Sequence, residues 1–217
     1  MKKEEVLRRI REVGVVPVVR ARTSEEAARA VEAIKAGGIT LLEITMTVPR
    51  AVDLIERLST AYGDSTVVGA GTVLDAETAR ACVAAGARFV VSPSLDVRTI
   101  ELCRSRGVAV MPGALTPTEV VTAWQAGADM VKVFPCGALG GASYLKALKA
   151  PLPQIELMPT GGVSLKTAAD FIKAGASALG VGADLVDLKA LSAGQAAVIT
   201  ERAKQYVELV QAARNEA

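Results

Sequence analysis

The run Ala126-Gly127-Ala128-Asp129-Met130-Val131-Lys132-Val133-Phe134-Pro135 reads, in order, as a helix end, a turn and a strand. Residues 117–126 have helical periodicity, and Gly127 supplies the left-handed backbone that closes a helix at little cost. Residues 130–134 then form a short apolar run broken once, by a lysine. The same punctuation recurs at Ala36-Gly37-Gly38, Ala85-Gly86-Ala87 and Ala174-Gly175-Ala176, each time between a helical stretch and an apolar one. Working outward from these marks, strands are expected at 15–20, 41–45, 66–70, 89–92, 108–111, 130–134, 156–159 and 178–181. Helices are expected between them at 24–36, 50–62, 76–85, 97–106, 117–126, 142–149 and 165–174. Residues 1–13 have helical periodicity ahead of the first strand, and 192–213 reads as a long closing helix.

Eight strand–helix units in 217 residues predict an α/β protein, a single (β/α)8 TIM barrel over 1–217 with an extra N-terminal helix as a lid on its N-terminal end. An open doubly wound sheet alternates in the same way, but no GxGxxG follows the first strand. Aromatic residues make up only 3% of the chain, so the core must be built from Ala, Val and Leu. Parallel strands covered by Ala-rich helices suit that composition.

Composition narrows the function. Twenty-five Lys and Arg against 23 Asp and Glu leave a net charge of +2, scattered rather than gathered into a basic stripe, so nucleic acid is not an expected partner. There is no histidine, which removes Ser-His and Cys-His nucleophile pairs and His-ligated metals; no metal and no cofactor are expected. The three cysteines form no CxxC pair and fit a reducing compartment. Without an apolar leader or a run near the ~20 residues of a membrane span, the chain is expected to be soluble and cytoplasmic, with no membrane partner.

In a barrel, active groups sit at the C-terminal ends of strands, so polar residues that interrupt apolar strands are the ones to weigh. Alternation puts Met130, Lys132 and Phe134 on one face of their strand. If that face is the interior, the lysine loses solvation, and its neutral amine can attack a ketone to form a Schiff base. The alternative is a lysine that snorkels to the strand end or is neutralised by an acid without chemistry. Glu43 interrupts Leu41-Leu42-Glu43-Ile44-Thr45 in the same manner. It is either the proton shuttle for such an amine or half of a structural ion pair. Arg20 closes the first strand, where it holds a carboxylate or phosphate or caps the rim. Gly69-Ala70-Gly71-Thr72 brings backbone and one hydroxyl to the pocket. Thr160-Gly161-Gly162-Val163 and Gly180-Val181-Gly182-Ala183-Asp184 form the strongest anion signal, because loops after the seventh and eighth strands of such barrels often cradle phosphate. Cys136 has no visible base partner, and Trp124 reads as packing or subunit contact.

These residues also carry a resemblance. Val18-Val19-Arg20-Ala21, Leu42-Glu43-Ile44-Thr45, Gly69-Ala70-Gly71-Thr72-Val73, Val91-Ser92-Pro93, Met111-Pro112-Gly113, Val131-Lys132-Val133-Phe134-Pro135 and Pro159-Thr160-Gly161-Gly162-Val163, in this order, resemble the class I 2-keto-3-deoxy-6-phosphogluconate (KDPG/KHG) aldolases along nearly the whole chain. The resemblance implies a homotrimer that reversibly cleaves that phosphorylated keto-deoxy sugar acid to pyruvate and glyceraldehyde 3-phosphate without a cofactor. It implies Lys132 as the Schiff-base lysine and Glu43 as the acid–base residue. Thr72 would hold the pyruvyl carboxylate with Arg20 as another substrate contact, Pro93 and Phe134 would line the pocket, and Thr160, Gly161 and Gly162 would serve the carboxylate and phosphate end, with Gly182 and Ala183 beside them.

Two positions depart from the family pattern. Thr47 stands where some members carry arginine, and Ala183 where serine is frequent. The galactonate branch favours proline after Glu-Ile and valine before Gly-Gly, so Thr45 and Thr160 lean towards the gluconate substrate. Alternatives are a 2-keto-3-deoxy-6-phosphogalactonate or 4-hydroxy-2-oxoglutarate aldolase, or a catalytically silent barrel used as an assembly subunit.

Overall fold

The computed structural model describes residues 1–216; Ala217, the end of the expected 1–217 domain, lies outside the described residues. Nine short strands alternate with helices: β1 Val15–Val19, β2 Leu41–Thr45, β3 Val67–Gly71, β4 Phe89–Val91, β5 Ala109–Met111, β6 Gly113–Ala114, β7 Val131–Val133, β8 Leu157–Pro159 and β9 Leu179–Val181. The helices are α1 Lys3–Val13, α2 Ser24–Ala36, α3 Ala51–Tyr62, α4 Ala76–Ala84, α5 Val97–Ser105, α6 Pro117–Ala126, α7 Ala142–Lys149, α8 Ala168–Lys173, α9 Leu188–Ser192 and α10 Ala196–Asn215, with a 3-10 turn at Cys136–Leu139. No described helix is long and apolar enough to cross a membrane.

The strands do not form the closed eight-stranded barrel that the alternation predicts. All pairings are parallel, but they divide into a six-stranded sheet, β5-β4-β3-β2-β1-β9, and a three-stranded sheet, β6-β7-β8. Pro112 explains one seam. It has no amide hydrogen to add to a ladder, and it separates β5, which lies within the expected fifth strand and pairs with β4, from β6, which lies beyond that strand and pairs with β7. At the other seam β8 and β9 share no ladder; the Ser177 amide donates to the Leu157 carbonyl at 2.9 Å, and an isolated bridge joins Thr160 to Gly180.

Local chemistry sets the helix ends. Thr23, Asp75, Asp96 and Thr116 each accept the amide three residues ahead, and Thr116 with Glu119 completes a reciprocal capping box with Pro117 in the first turn. Gly86, Gly127 and Gly175 adopt the left-handed backbone expected of them; in the first phrase Gly38 (φ 93°) does so rather than Gly37. The closing helix is interrupted: Gly194 (φ 76°) separates α9 from α10.

Strand side chains and the inner helix faces form one apolar core, in which Tyr206, Phe89 and Phe171 are the largest fully buried side chains. Helix α1 packs beneath the strands' N-terminal ends. Lys3 pairs with Asp129 at 2.8 Å just before β7, and Arg11 with Glu156 at 2.8 Å just before β8. That closes one end and leaves the C-terminal ends of the strands to carry the site.

Candidate active site

Register gives the level of the two interrupting charges in their sheets. Glu43 in β2 lies level with Val18 of β1 and Gly69 of β3, and Lys132 in β7 lies level with Gly113 of β6 and Met158 of β8. Both are buried, at 1% and 3% exposure. The Lys132 Nζ stands 5.3 Å from the centre of the Phe134 ring.

Glycines in the strands make room for close neighbours, Glu43 among them. A methyl on Gly71 would overlap the Glu43 carboxylate, one on Gly69 the Phe89 ring, one on Gly113 the Pro93 backbone, and one on Gly180 the Thr160 hydroxyl. Gly69 and Gly71 thus have a packing reason as well as a turn reason.

Glu43 is a buried carboxyl with a raised pKa. Neither of its oxygens has a hydrogen-bond partner among the described residues. Burial pushes it up from the ordinary glutamate range, and the positive charges of Lys132 and Arg20 offset part of that rise. An acid held in this way keeps its proton at higher pH than a surface glutamate and gives it up to a nearby base, which suits a proton shuttle.

A cavity of about 250 Å³ at the strand ends gathers seven of the expected site residues: Arg20, Phe134, Thr160, Gly161, Gly162, Gly182 and Ala183. The Thr160 hydroxyl is buried without a partner, and a lone buried hydroxyl is costly unless a ligand completes it. The other expected residues lie outside this cavity's lining. Lys132 and Glu43 are buried in the adjoining strands. Thr72 follows β3 directly, in a left-handed backbone (φ 59°) that a β-branched residue rarely adopts. Pro93 follows β4 and touches β6 through Gly113. Thr47 is exposed at the end of β2, its hydroxyl 2.6 Å from that of Thr45, which in turn can donate to the Val19 carbonyl at 3.1 Å.

Four lining residues, Val18, Val163, Gly180 and Asp184, were not among the expected site residues. Val18 shares Glu43's face by register, a signal that pairing alone reveals. Asp184 was visible as the acidic end of the Gly180–Asp184 phrase, but its partners lie far along the chain. Cys136 is buried, its thiol pushed up to about 11 by burial, and this leaves little thiolate for nucleophilic work.

The family model for KDPG and KHG aldolases matches residues 6–202. The chain belongs to the KDPG and KHG aldolase family. Within it, the chain is 34% identical over 206 residues to a 2-dehydro-3-deoxy-phosphogluconate aldolase of Treponema pallidum, covering 95% of this chain and 96% of that one. It is 37% identical over 172 residues to a 2-dehydro-3-deoxy-6-phosphogalactonate aldolase of Escherichia coli, covering 79% and 83%. The crystal structure of the KDPG aldolase of Legionella pneumophila, with pyruvate captured at low pH as a covalent carbinolamine, superposes with a TM-score of 0.84 at 30% identity, over 91% of this chain and 96% of that one. As aldolases these relatives are carbon–carbon lyases. The two-sheet arrangement found here, in place of the closed barrel expected from alternation, is thus one that superposes on a solved KDPG aldolase.

Proposed function

We propose that this protein is a class I aldolase that reversibly cleaves 2-keto-3-deoxy-6-phosphogluconate to pyruvate and glyceraldehyde 3-phosphate. The observation that carries the reading is a buried lysine and a buried, unpartnered glutamate on the interior faces of neighbouring sheets, below a glycine-lined cavity.

Lys132 attacks the C2 ketone as the neutral amine, and the carbinolamine loses water to give a protonated imine. Glu43 supplies and removes the protons of these steps. It then takes the proton from the C4 hydroxyl as the C3–C4 bond breaks, the electron pair entering the imine and leaving an enamine. Protonation at C3 and addition of water release pyruvate and free the lysine. Thr72 and Arg20 hold the carboxylate of the pyruvyl end, while Pro93 and Phe134 pack against it. Thr160, Gly161, Gly162, Gly182 and Ala183 receive the phosphate end through backbone amides and the Thr160 hydroxyl, and Thr47 contributes a hydroxyl at the mouth.

Thr45 and Thr160 favour the gluconate configuration at C4. The likeness to a galactonate-branch enzyme makes the C4 epimer the second substrate to try. The protein works as a homotrimer in the cytoplasm, so light scattering should report three 22.4 kDa chains.

The test is coupled pyruvate release from the two epimers and from 4-hydroxy-2-oxoglutarate, with Lys132→Ala as control. Turnover highest with the gluconate substrate and absent in Lys132→Ala supports the reading. Turnover that survives in Lys132→Ala, or none with any of the three, overturns it.

A further inference from the structure

Asp184 is the acidic residue of a cavity otherwise made for an anion, lined by Arg20, Gly161, Gly162 and Gly182. A free carboxylate there would repel a phosphate. Asp184 is not free. Its Oδ2 accepts the Tyr206 hydroxyl of α10 at 2.5 Å and the Leu165 amide at 3.2 Å. Leu165 belongs to the loop that leaves β8 through Gly161 and Gly162, whereas Asp184 belongs to the loop that leaves β9 through Gly182 and Ala183. The carboxylate therefore ties one glycine loop to the other, and both to the closing helix.

The surroundings fix this tie at each end. On the β8 side the Thr167 hydroxyl donates to the Gly162 carbonyl at 3.0 Å and accepts the Ser164 amide at 2.9 Å. On the β9 side Arg202 donates to the Asp184 carbonyl at 2.9 Å and to Asp187 at 3.2 Å. Tyr206 is wholly buried, so its position is set by the core. The seam gains from such a brace, because β8 and β9 share no ladder: the Ser177 amide donates to the Leu157 carbonyl at 2.9 Å near their N-terminal ends, and at the site end they meet at the isolated Thr160↔Gly180 bridge.

We propose that Asp184, anchored by Tyr206, is a positioning residue that holds the two glycine loops at the spacing the substrate's phosphate end requires. The inference rests on the aldolase reading above, in which those loops receive the phosphate. It predicts a selective defect, because the lysine end of the site does not depend on the brace.

The experiment compares Asp184→Ala, Tyr206→Phe and Asp184→Asn in the full chain. It measures KM and kcat for the phosphorylated substrate, KM for 4-hydroxy-2-oxoglutarate, which has no phosphate, and borohydride trapping of pyruvate. Asp184→Ala and Tyr206→Phe should raise KM for the phosphorylated substrate about tenfold, the scale of one lost hydrogen bond, with kcat nearly unchanged. Their trapping and their KM for the unphosphorylated acid should match the unmodified protein. Asp184→Asn keeps an acceptor oxygen and should restore the low KM. An unchanged KM in both disruptive variants, or a loss falling equally on both substrates and on trapping, overturns the proposal. An unmodified protein that traps no pyruvate would sink the aldolase reading, and the brace's role with it.

Discussion

Replacing Gly71 by alanine tests whether the position of Glu43 matters. Gly71 lies in β3 without a left-handed backbone, so alanine fits the chain itself. The added methyl would stand 2.7 Å from the Glu43 carboxyl carbon and 3.2 Å from its γ carbon, besides overlapping one carboxylate oxygen. Carbon atoms in comfortable contact sit about 3.5–4.0 Å apart, so the carboxylate must retreat by roughly an ångström. A displacement of that size at a reacting group costs about 10²-fold in rate. Overpacking of the buried site costs roughly 1–3 kcal/mol of stability as well. The assay is kcat for coupled pyruvate release, measured alone and in a Glu43→Gln background, with thermal melts to show that each variant is folded. Because Gly71 is argued to act through Glu43, the two losses should not multiply in the double variant. A Gly71→Ala protein with kcat within about twofold of the unmodified one, or a double variant whose losses multiply, would refute the reasoning.

Glu43→Gln should slow turnover by about 10²-fold or more yet stabilise the fold at neutral pH. Burial raises the Glu43 carboxyl in the folded state, so its stabilising contribution is full below the ordinary glutamate range and is lost as pH rises through the raised value. Melts across pH should therefore show the variant above the unmodified protein at pH 7 and the two converging in acid. Thr72→Asn should stabilise the fold by on the order of 1 kcal/mol and so raise Tm, because asparagine tolerates the left-handed backbone better; pyruvate trapping should require more pyruvate. Asp129→Ala removes a carboxylate that accepts both Lys3 at 2.8 Å and the Val110 amide at 3.0 Å below the strands. It should cost about 1–3 kcal/mol in denaturant melts while leaving KM unchanged.

Local chemistry made much of this legible in the sequence. A lysine and a glutamate inside apolar runs can be assigned shared faces by alternation alone: Lys132 shares one with Phe134, whose ring centre is 5.3 Å from its nitrogen, and the Glu43 carboxylate lies over Gly71, two residues on in register from Gly69. Alanine–glycine phrases mark helix ends because few other residues take that backbone. What the sequence concealed depends on partners distant in the chain. Counting apolar runs treats 108–111 as one strand and cannot show that Pro112 divides the pairing between two sheets. The helical pattern over 192–213 hides the break at Gly194, since an isolated glycine is tolerated in a helix. Asp184 reads as the end of a glycine loop until Tyr206, in another helix, is seen to reach it.

Lys132 bears the central claim, and covalent trapping reaches it most directly. Incubation with pyruvate and borohydride, followed by peptide mass mapping, should find one reduced pyruvyl adduct, on the peptide carrying Lys132, and none in Lys132→Ala. An unmodified Lys132 under conditions that fully label a control class I aldolase, or an adduct on another lysine, would contradict the account.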